Sequence, residues 1–118
     1  IPAAMVLFNP VIDTSRKGYG HERLKERYRE ISPVEHVHDG APPTLIMVGS
    51  ADTTTPVAGH RLFATRMQKR KRPCQLIISE GQKHGFFNPR GDNKNYWKTL
   101  ARMEEFLAGL ELIVPARD

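Results

Sequence analysis

Three segments are apolar at successive positions instead of alternating ones: Ala3-Ala4-Met5-Val6-Leu7-Phe8, Thr44-Leu45-Ile46-Met47-Val48 and Gln75-Leu76-Ile77-Ile78-Ser79. Unbroken runs of that length suit strands covered on both faces, as in a parallel sheet. Each is bounded by residues that interrupt regular structure: Asn9-Pro10 after the first, Pro42-Pro43 and Gly49 around the second, Gly81 after the third. Between them the period becomes helical. Leu24, Tyr28 and Ile31, four and three apart in a charged segment, predict a surface helix over residues 22–30. Ser32-Pro33-Val34-Glu35 combines a capping serine, a proline at the first helical position and a glutamate three residues after the serine, so a short second helix is expected there, with Pro42 ending any continuation.

Ala58, Leu62, Phe63 and Met67 fall within about half a helical circumference at about 100° per residue, which predicts a helix over residues 57–70. Tyr96, Leu100, Met103, Leu107 and Leu110 form the clearest stripe, flanked by Trp97, and predict a helix over residues 94–108. Gly109 is a candidate cap for it, and residues 111–118 read as a weakly ordered tail. Strand, helices, strand, helix, strand, helix is the order of an α/β fold. The expectation is a parallel sheet of about three strands with flanking helices, joined by right-handed crossovers. No repeat, low-complexity tract or linker divides the chain, so residues 1–118 are expected to form a single domain.

Composition mainly excludes. With 118 residues, 39% hydrophobic and 26% charged, the chain lies far from the disordered class. The longest apolar run, from Pro2 to Phe8, is much shorter than the roughly 20 residues needed to span a bilayer. A lone Cys74 closes no internal disulfide, which suits a reducing compartment and favours the cytoplasm. The net charge of +5 and the run Lys69-Arg70-Lys71-Arg72 raise the question of nucleic acid. A basic run at the end of a helix is better explained by the helix dipole and solvation, and no nucleic-acid partner is expected. His36-X-His38-Asp39 has ligand-type residues but no third ligand segment, so no metal or other cofactor is expected; His21 and His60 read as surface histidines. The chain opens on Ile1 and enters a strand almost at once, and an upstream part is expected.

In parallel sheets functional groups gather in loops beyond the carboxyl ends of the strands. The second strand leads into Gly49-Ser50-Ala51-Asp52-Thr53-Thr54-Thr55-Pro56, with one carboxylate in a tight turn. The third leads into Glu80-Gly81-Gln82-Lys83-His84-Gly85-Phe86-Phe87, with one imidazole between glycines and two aromatic rings. Asp52 and His84 can therefore meet. Taken singly, Asp52 is also explicable as a helix-capping carboxylate and His84 as a loop histidine.

These residues resemble the carboxyl-terminal half of the α/β-hydrolases, in the branch of small carboxylesterases, acetyl esterases and prolyl-oligopeptidase-like enzymes. The Gly-X-X-Asp turn at Gly49 to Pro56 is similar to the family's acid turn, and Gly81 to Phe86 is similar to its Gly-X-X-His-Gly-Phe pattern. The resemblance covers roughly Ala3 to Leu110 and implies that Asp52 is the acid and His84 the base of a catalytic triad. The family also places a serine on a Gly-X-Ser-X-Gly elbow ahead of the first strand found here. That elbow does not occur in these 118 residues: Ser15, Ser32, Ser50 and Ser79 lack the glycine pair, and Cys74 precedes its strand.

The resemblance thus implies the carboxyl-terminal portion of a serine hydrolase of carboxylic esters, inactive without its nucleophile. The missing elbow also fits a noncatalytic structural or assembly module. The stretch from Asp13 to Gly40 is a candidate lid segment, and Phe86, Phe87 and Trp97 read as core or pocket wall. With the family's neighbouring strand absent, the edge of the first strand is expected to be covered, by a second copy in a homodimer or by a partner fragment.

Overall fold

All six residues of the strand Thr44–Gly49 are buried, which makes it the centre of the sheet. The computed structural model describes residues 1–114. Their order is β1 (Met5–Phe8), α1 (His21–Leu24), α2 (Tyr28–Ile31), β2 (Thr44–Gly49), α3 (Val57–Lys69), β3 (Cys74–Ser79) and α4 (Lys94–Gly109), with short 3-10 turns at Lys25–Arg27 and Pro33–Glu35. The strands are parallel in the order β1-β2-β3. Met5 lies opposite Thr44 and Phe8 opposite Met47, while Thr44 pairs with Cys74 and Gly49 with Ser79. The register brings the carboxyl ends of all three strands to one edge of the sheet. The α/β expectation holds, and the strand boundaries differ from the sequence reading by two residues or fewer.

The chain divides into two compact units, one of residues 1–84 and one beginning at Gly85. In the first, Ile46 and Val48 pack with Ile12, Val34, Phe63 and Met67 into a core joined by Leu7, Leu76 and Ile78. The buried side of α3 is not the one its apolar residues define. Gly59, His60, Phe63 and Met67 are buried, whereas Ala58 and Leu62 are exposed. The helix comes so close to the segment after β1 that a Cβ on Gly59 would stand 2.9 Å from that of Asp13. His60 fills the next position and is 1% exposed, so the expectation of a surface histidine is wrong.

The expected helix over residues 22–30 is broken. Lys25 adopts φ 48°, which no α-helix accommodates, and a 3-10 turn separates α1 from α2. Ile31, expected on its apolar stripe, is 60% exposed. Ser32 is not the cap that its sequence suggests: its Oγ accepts the Thr14 N–H at 3.0 Å, and only a 3-10 turn follows.

The basic run forms the stop of α3. Lys71 takes a positive φ of 54°, the Arg72 N–H bonds to the Met67 carbonyl at 2.9 Å, and the Lys71 N–H bonds to that of Gln68 at 2.9 Å. This is a Schellman ending with lysine where glycine is usual. Arg70 pairs with Asp39, and Arg72 donates to the Ala41 carbonyl at 2.7 Å.

In the second unit, α4 ends the same way. The Leu112 N–H bonds to the Leu107 carbonyl and the Glu111 N–H to that of Ala108, with Glu111 at φ 61°. Gly109 is thus the last helical residue and not the cap. Of the expected tail, residues 115–118 lie outside those described. Phe86 and Phe87 meet edge to face with centroids 6.0 Å apart, and Trp97 is 60% exposed. No helix among the described residues is long and apolar enough to cross a membrane.

Candidate active site

Asp52 lies three residues beyond the end of β2 and His84 five beyond the end of β3. Two adjacent parallel strands deliver their loops to the same side, and backbone bonds stitch the loops together. The Ser50 N–H donates to the Ser79 carbonyl at 3.0 Å, the Ala51 N–H to that of Gln82 at 2.9 Å, and the Gly81 N–H to the Ser50 hydroxyl at 2.7 Å. Gly81 takes φ 74°, a turn that an L side chain resists, and this accounts for the first glycine of the Gly-X-X-His spacing.

The result is a contact of 2.8 Å between His84 Nδ1 and Asp52 Oδ2. The Asp52 side chain is fully buried, whereas that of His84 is 47% exposed. Asp52 does not cap α3, whose N-cap is Pro56 without a side-chain bond. Its Oδ1 accepts the N–H groups of Thr54 and Thr55, each at 2.8 Å. Its Oδ2 accepts the Thr55 hydroxyl at 2.9 Å and the Asn9 amide Nδ2 at 2.8 Å, in addition to His84. Burial pushes the carboxyl up, but the Thr55 N–H, His84, the Thr55 hydroxyl and the Thr54 N–H outweigh it and hold the group down at about 2.

An ionised Asp52 is an acceptor only, so His84 Nδ1 carries the hydrogen and the neutral ring keeps its lone pair on Nε2. A base oriented by a buried carboxylate is an arrangement able to accept a proton from a nucleophile and return it to a leaving group.

The remaining candidates are used structurally. Ser50, Ser32 and Ser15 accept backbone N–H groups. Cys74 begins β3 and so lies at the opposite end of that strand from the His84 loop. Burial pushes its thiol up to about 11, which keeps it neutral. His36 bonds the Arg29 carbonyl, and His38 accepts the Gly40 N–H. Among the described residues no group of three His, Cys, Asp or Glu side chains is placed to hold a metal ion.

Three participants escaped the sequence reading. The sequence presents Asn9 only as the stop of β1, Thr55 only as a residue of the turn after β2, and His60 as a surface residue. Thr55 carried a usable signal, since a hydroxyl three residues after an aspartate in a turn reaches back to its carboxylate. Asn9 and His60 carried none, because their roles depend on contacts 43 and 50 residues away.

A sequence model of the prolyl oligopeptidase family matches residues 7–109. No curated protein matches the chain. Among solved structures, the chain is similar to a thermophilic esterase of the planctomycete Thermogutta terrifontis. With propionate bound, that protein is 42% identical at a TM-score of 0.86, over 98% of this chain and 45% of that one. Its apo form is 44% identical at a TM-score of 0.86, over 97% and 44%. The form phosphoramylated by tabun is 43% identical at a TM-score of 0.86, over 97% and 44%. The chain thus spans less than half the length of these solved relatives.

Proposed function

The chain belongs to the prolyl oligopeptidase family, and from that premise we propose that it supplies the acid and the base of a serine hydrolase acting on small carboxylic esters. It has part of the α/β-hydrolase fold of its esterase neighbours. The observation that carries the reading is the 2.8 Å contact of His84 Nδ1 with the buried Asp52 Oδ2 at the ends of adjacent parallel strands. Small acyl groups are favoured because the similar esterase has been solved with propionate and with butyrate bound.

In this reading a serine hydroxyl outside the 118 residues attacks the ester carbonyl while His84 Nε2 takes its proton. Collapse of the tetrahedral intermediate expels the alcohol, which receives that proton, and leaves an acyl-enzyme. Water then attacks the acyl carbon, gives a proton to His84 and releases the acid as the proton returns to serine. Asp52 keeps Nδ1 protonated and stabilises the imidazolium. Residues 1–118 alone have no nucleophile on an elbow and do not turn over esters by this route. As an isolated polypeptide they pair through the open edge of β1, with a second copy or with a complementary fragment.

The test is a chimera in which residues 1–118 replace the corresponding part of the Thermogutta terrifontis esterase, assayed on p-nitrophenyl butyrate. The expected result is turnover abolished by His84→Ala and reduced on the order of 10⁴-fold by Asp52→Asn, as for the aspartate of a serine protease. A folded chimera whose turnover ignores His84 overturns the assignment. A folded but inactive chimera favours the noncatalytic module to which the missing elbow also points. Rapid, saturable hydrolysis by the 118-residue polypeptide, abolished by His84→Ala, overturns its inactivity.

A further inference from the structure

Asp52 is held from two directions. Thr54 and Thr55 belong to its own turn, whereas Asn9 arrives from the end of β1, where its N–H continues the sheet pairing by bonding the Met47 carbonyl at 3.0 Å. Asn9 is 4% exposed and takes φ 45°, a left-handed conformation that asparagine tolerates better than most side chains. Its amide Nδ2 lies 2.8 Å from Asp52 Oδ2, the oxygen that His84 also uses. The opposite amide orientation would set Oδ1 against an ionised oxygen. In the orientation adopted, Asn9 Oδ1 is buried without a hydrogen-bond partner among the described residues.

A residue selected for packing alone would not leave a buried carbonyl orphaned, since such an atom destabilises the fold. The neighbouring chain is also fixed. His60 Nε2 donates to the Pro10 carbonyl at 3.0 Å, tying the segment after β1 to α3.

We propose that Asn9 is a positioning residue for the acid–base pair, its amide N–H fixing the rotation of the Asp52 carboxylate so that Oδ2 faces His84 Nδ1. The proposal rests on reading Asp52 and His84 as acid and base. Thr55 Oγ1 bonds the same oxygen but belongs to the same turn as Asp52, so it moves with the carboxylate. Asn9 is the donor that references the carboxylate to the sheet. Without it, the carboxylate keeps its bonds within the turn and to His84 but loses its side-chain tie to the end of β1, so its oxygen is held less tightly on the line to His84 Nδ1.

The experiment is long-range ¹H–¹⁵N correlation of the histidine rings in the 118-residue polypeptide at neutral pH, on the parent chain and on Asn9→Gly. Glycine accepts φ 45° at no steric cost, so the variant deletes the amide without straining the backbone. The parent is expected to show His84 in the Nδ1–H tautomer, and Asn9→Gly to show a mixture of the two tautomers with the other histidines unchanged. A parent with one tautomer and an Asn9→Gly spectrum identical to it overturns the inference alone. A parent already mixed overturns the acid–base reading and the inference with it.

If the glycine variant does not fold, Asn9→Ala restores the Cβ and still lacks any side-chain donor. His84 tautomers matching the parent in that variant equally overturn the role of Asn9, and a mixture supports it. In the active chimera, Asn9→Gly is expected to lower kcat on the order of tenfold with KM unchanged, within the range that small misplacements of catalytic groups cost. A fall in stability with kcat intact would mark Asn9 as merely structural and overturn the proposal.

Discussion

A Cβ placed on Gly49 would lie 2.0 Å from the carbonyl oxygen of Gln82, so the end of β2 touches the loop that carries His84 at a point where only glycine fits. That carbonyl is also the acceptor of the Ala51 N–H, and displacing it breaks the bond that joins the two loops. Gly49→Ala is therefore expected to destabilise the fold by roughly 1–3 kcal/mol, as overpacking does, and to separate Asp52 from His84. A urea midpoint lowered with an unchanged slope, together with a mixed His84 tautomer, is the expected pair of readings. An alanine variant with both at parental values would show that the loop yields freely.

Acid should expose the worth of the Asp52 hydrogen bonds. The carboxyl is held at about 2 in the folded chain, below its ordinary 3.8. Above the ordinary value both states are ionised and the contribution is fully present; as pH falls toward 2 the unfolded chain takes up a proton that the folded chain refuses, and the contribution is lost. Its size is roughly 2 kcal/mol. Urea midpoints followed from pH 5 to pH 2 should fall less steeply for Asp52→Asn than for the parent. Parallel curves would mean that the carboxylate is not held in this way.

His60 makes a second contribution to pH dependence, in a different window. Burial, its largest influence, pushes the imidazole below its ordinary 6.5, against the opposing pull of the Pro10 carbonyl and the charge of Asp52. As pH falls below 6.5 the unfolded chain binds a proton before the folded one does, so stability declines on that side. The decline between pH 7 and pH 5 should be shallower in His60→Gln, measured by urea midpoints. An unaltered slope would rule His60 out as its source.

The left-handed lysine at the end of α3 offers a gain. Lys71 holds φ 54° in a position that glycine occupies without strain, and its own N–H, not its side chain, makes the capping bond. Lys71→Gly is expected to raise stability by about 0.5–1 kcal/mol. A thermal midpoint below the parent's would show that the ammonium contributes more than the backbone strain costs.

The sequence was most legible where side-chain chemistry and chain direction agree. The three apolar runs announced the strands, but only β2 is buried on both faces as such runs imply; β1 and β3 are half-buried, with Gln75 exposed. Asp52 and His84 were legible because each stands in a glycine-marked turn after such a run. The buried side of α3 was misread because Gly59 and His60 carry no apolar signature: one is buried for its smallness and the other for its bond to Pro10. Both long helices are stopped two residues past their ends by left-handed residues, Lys71 and Glu111, that disguise a Schellman stop usually signalled by glycine. Asn9 was hidden for a further reason: its partner is 43 residues away, and only the parallel register of β1 on β2 brings them together.

The five hydrogen bonds on Asp52 all come from residues between Asn9 and His84. Asp52 and His84 are therefore brought together by the folding of the first compact unit, and the conformational entropy of ordering them is lost at that stage. A segment bringing a nucleophile to His84 Nε2 has only itself to order. On the proposed reading, the geometry of Asp52 and His84 is set by the stretch from Asn9 to His84, independently of how a nucleophile is brought to them.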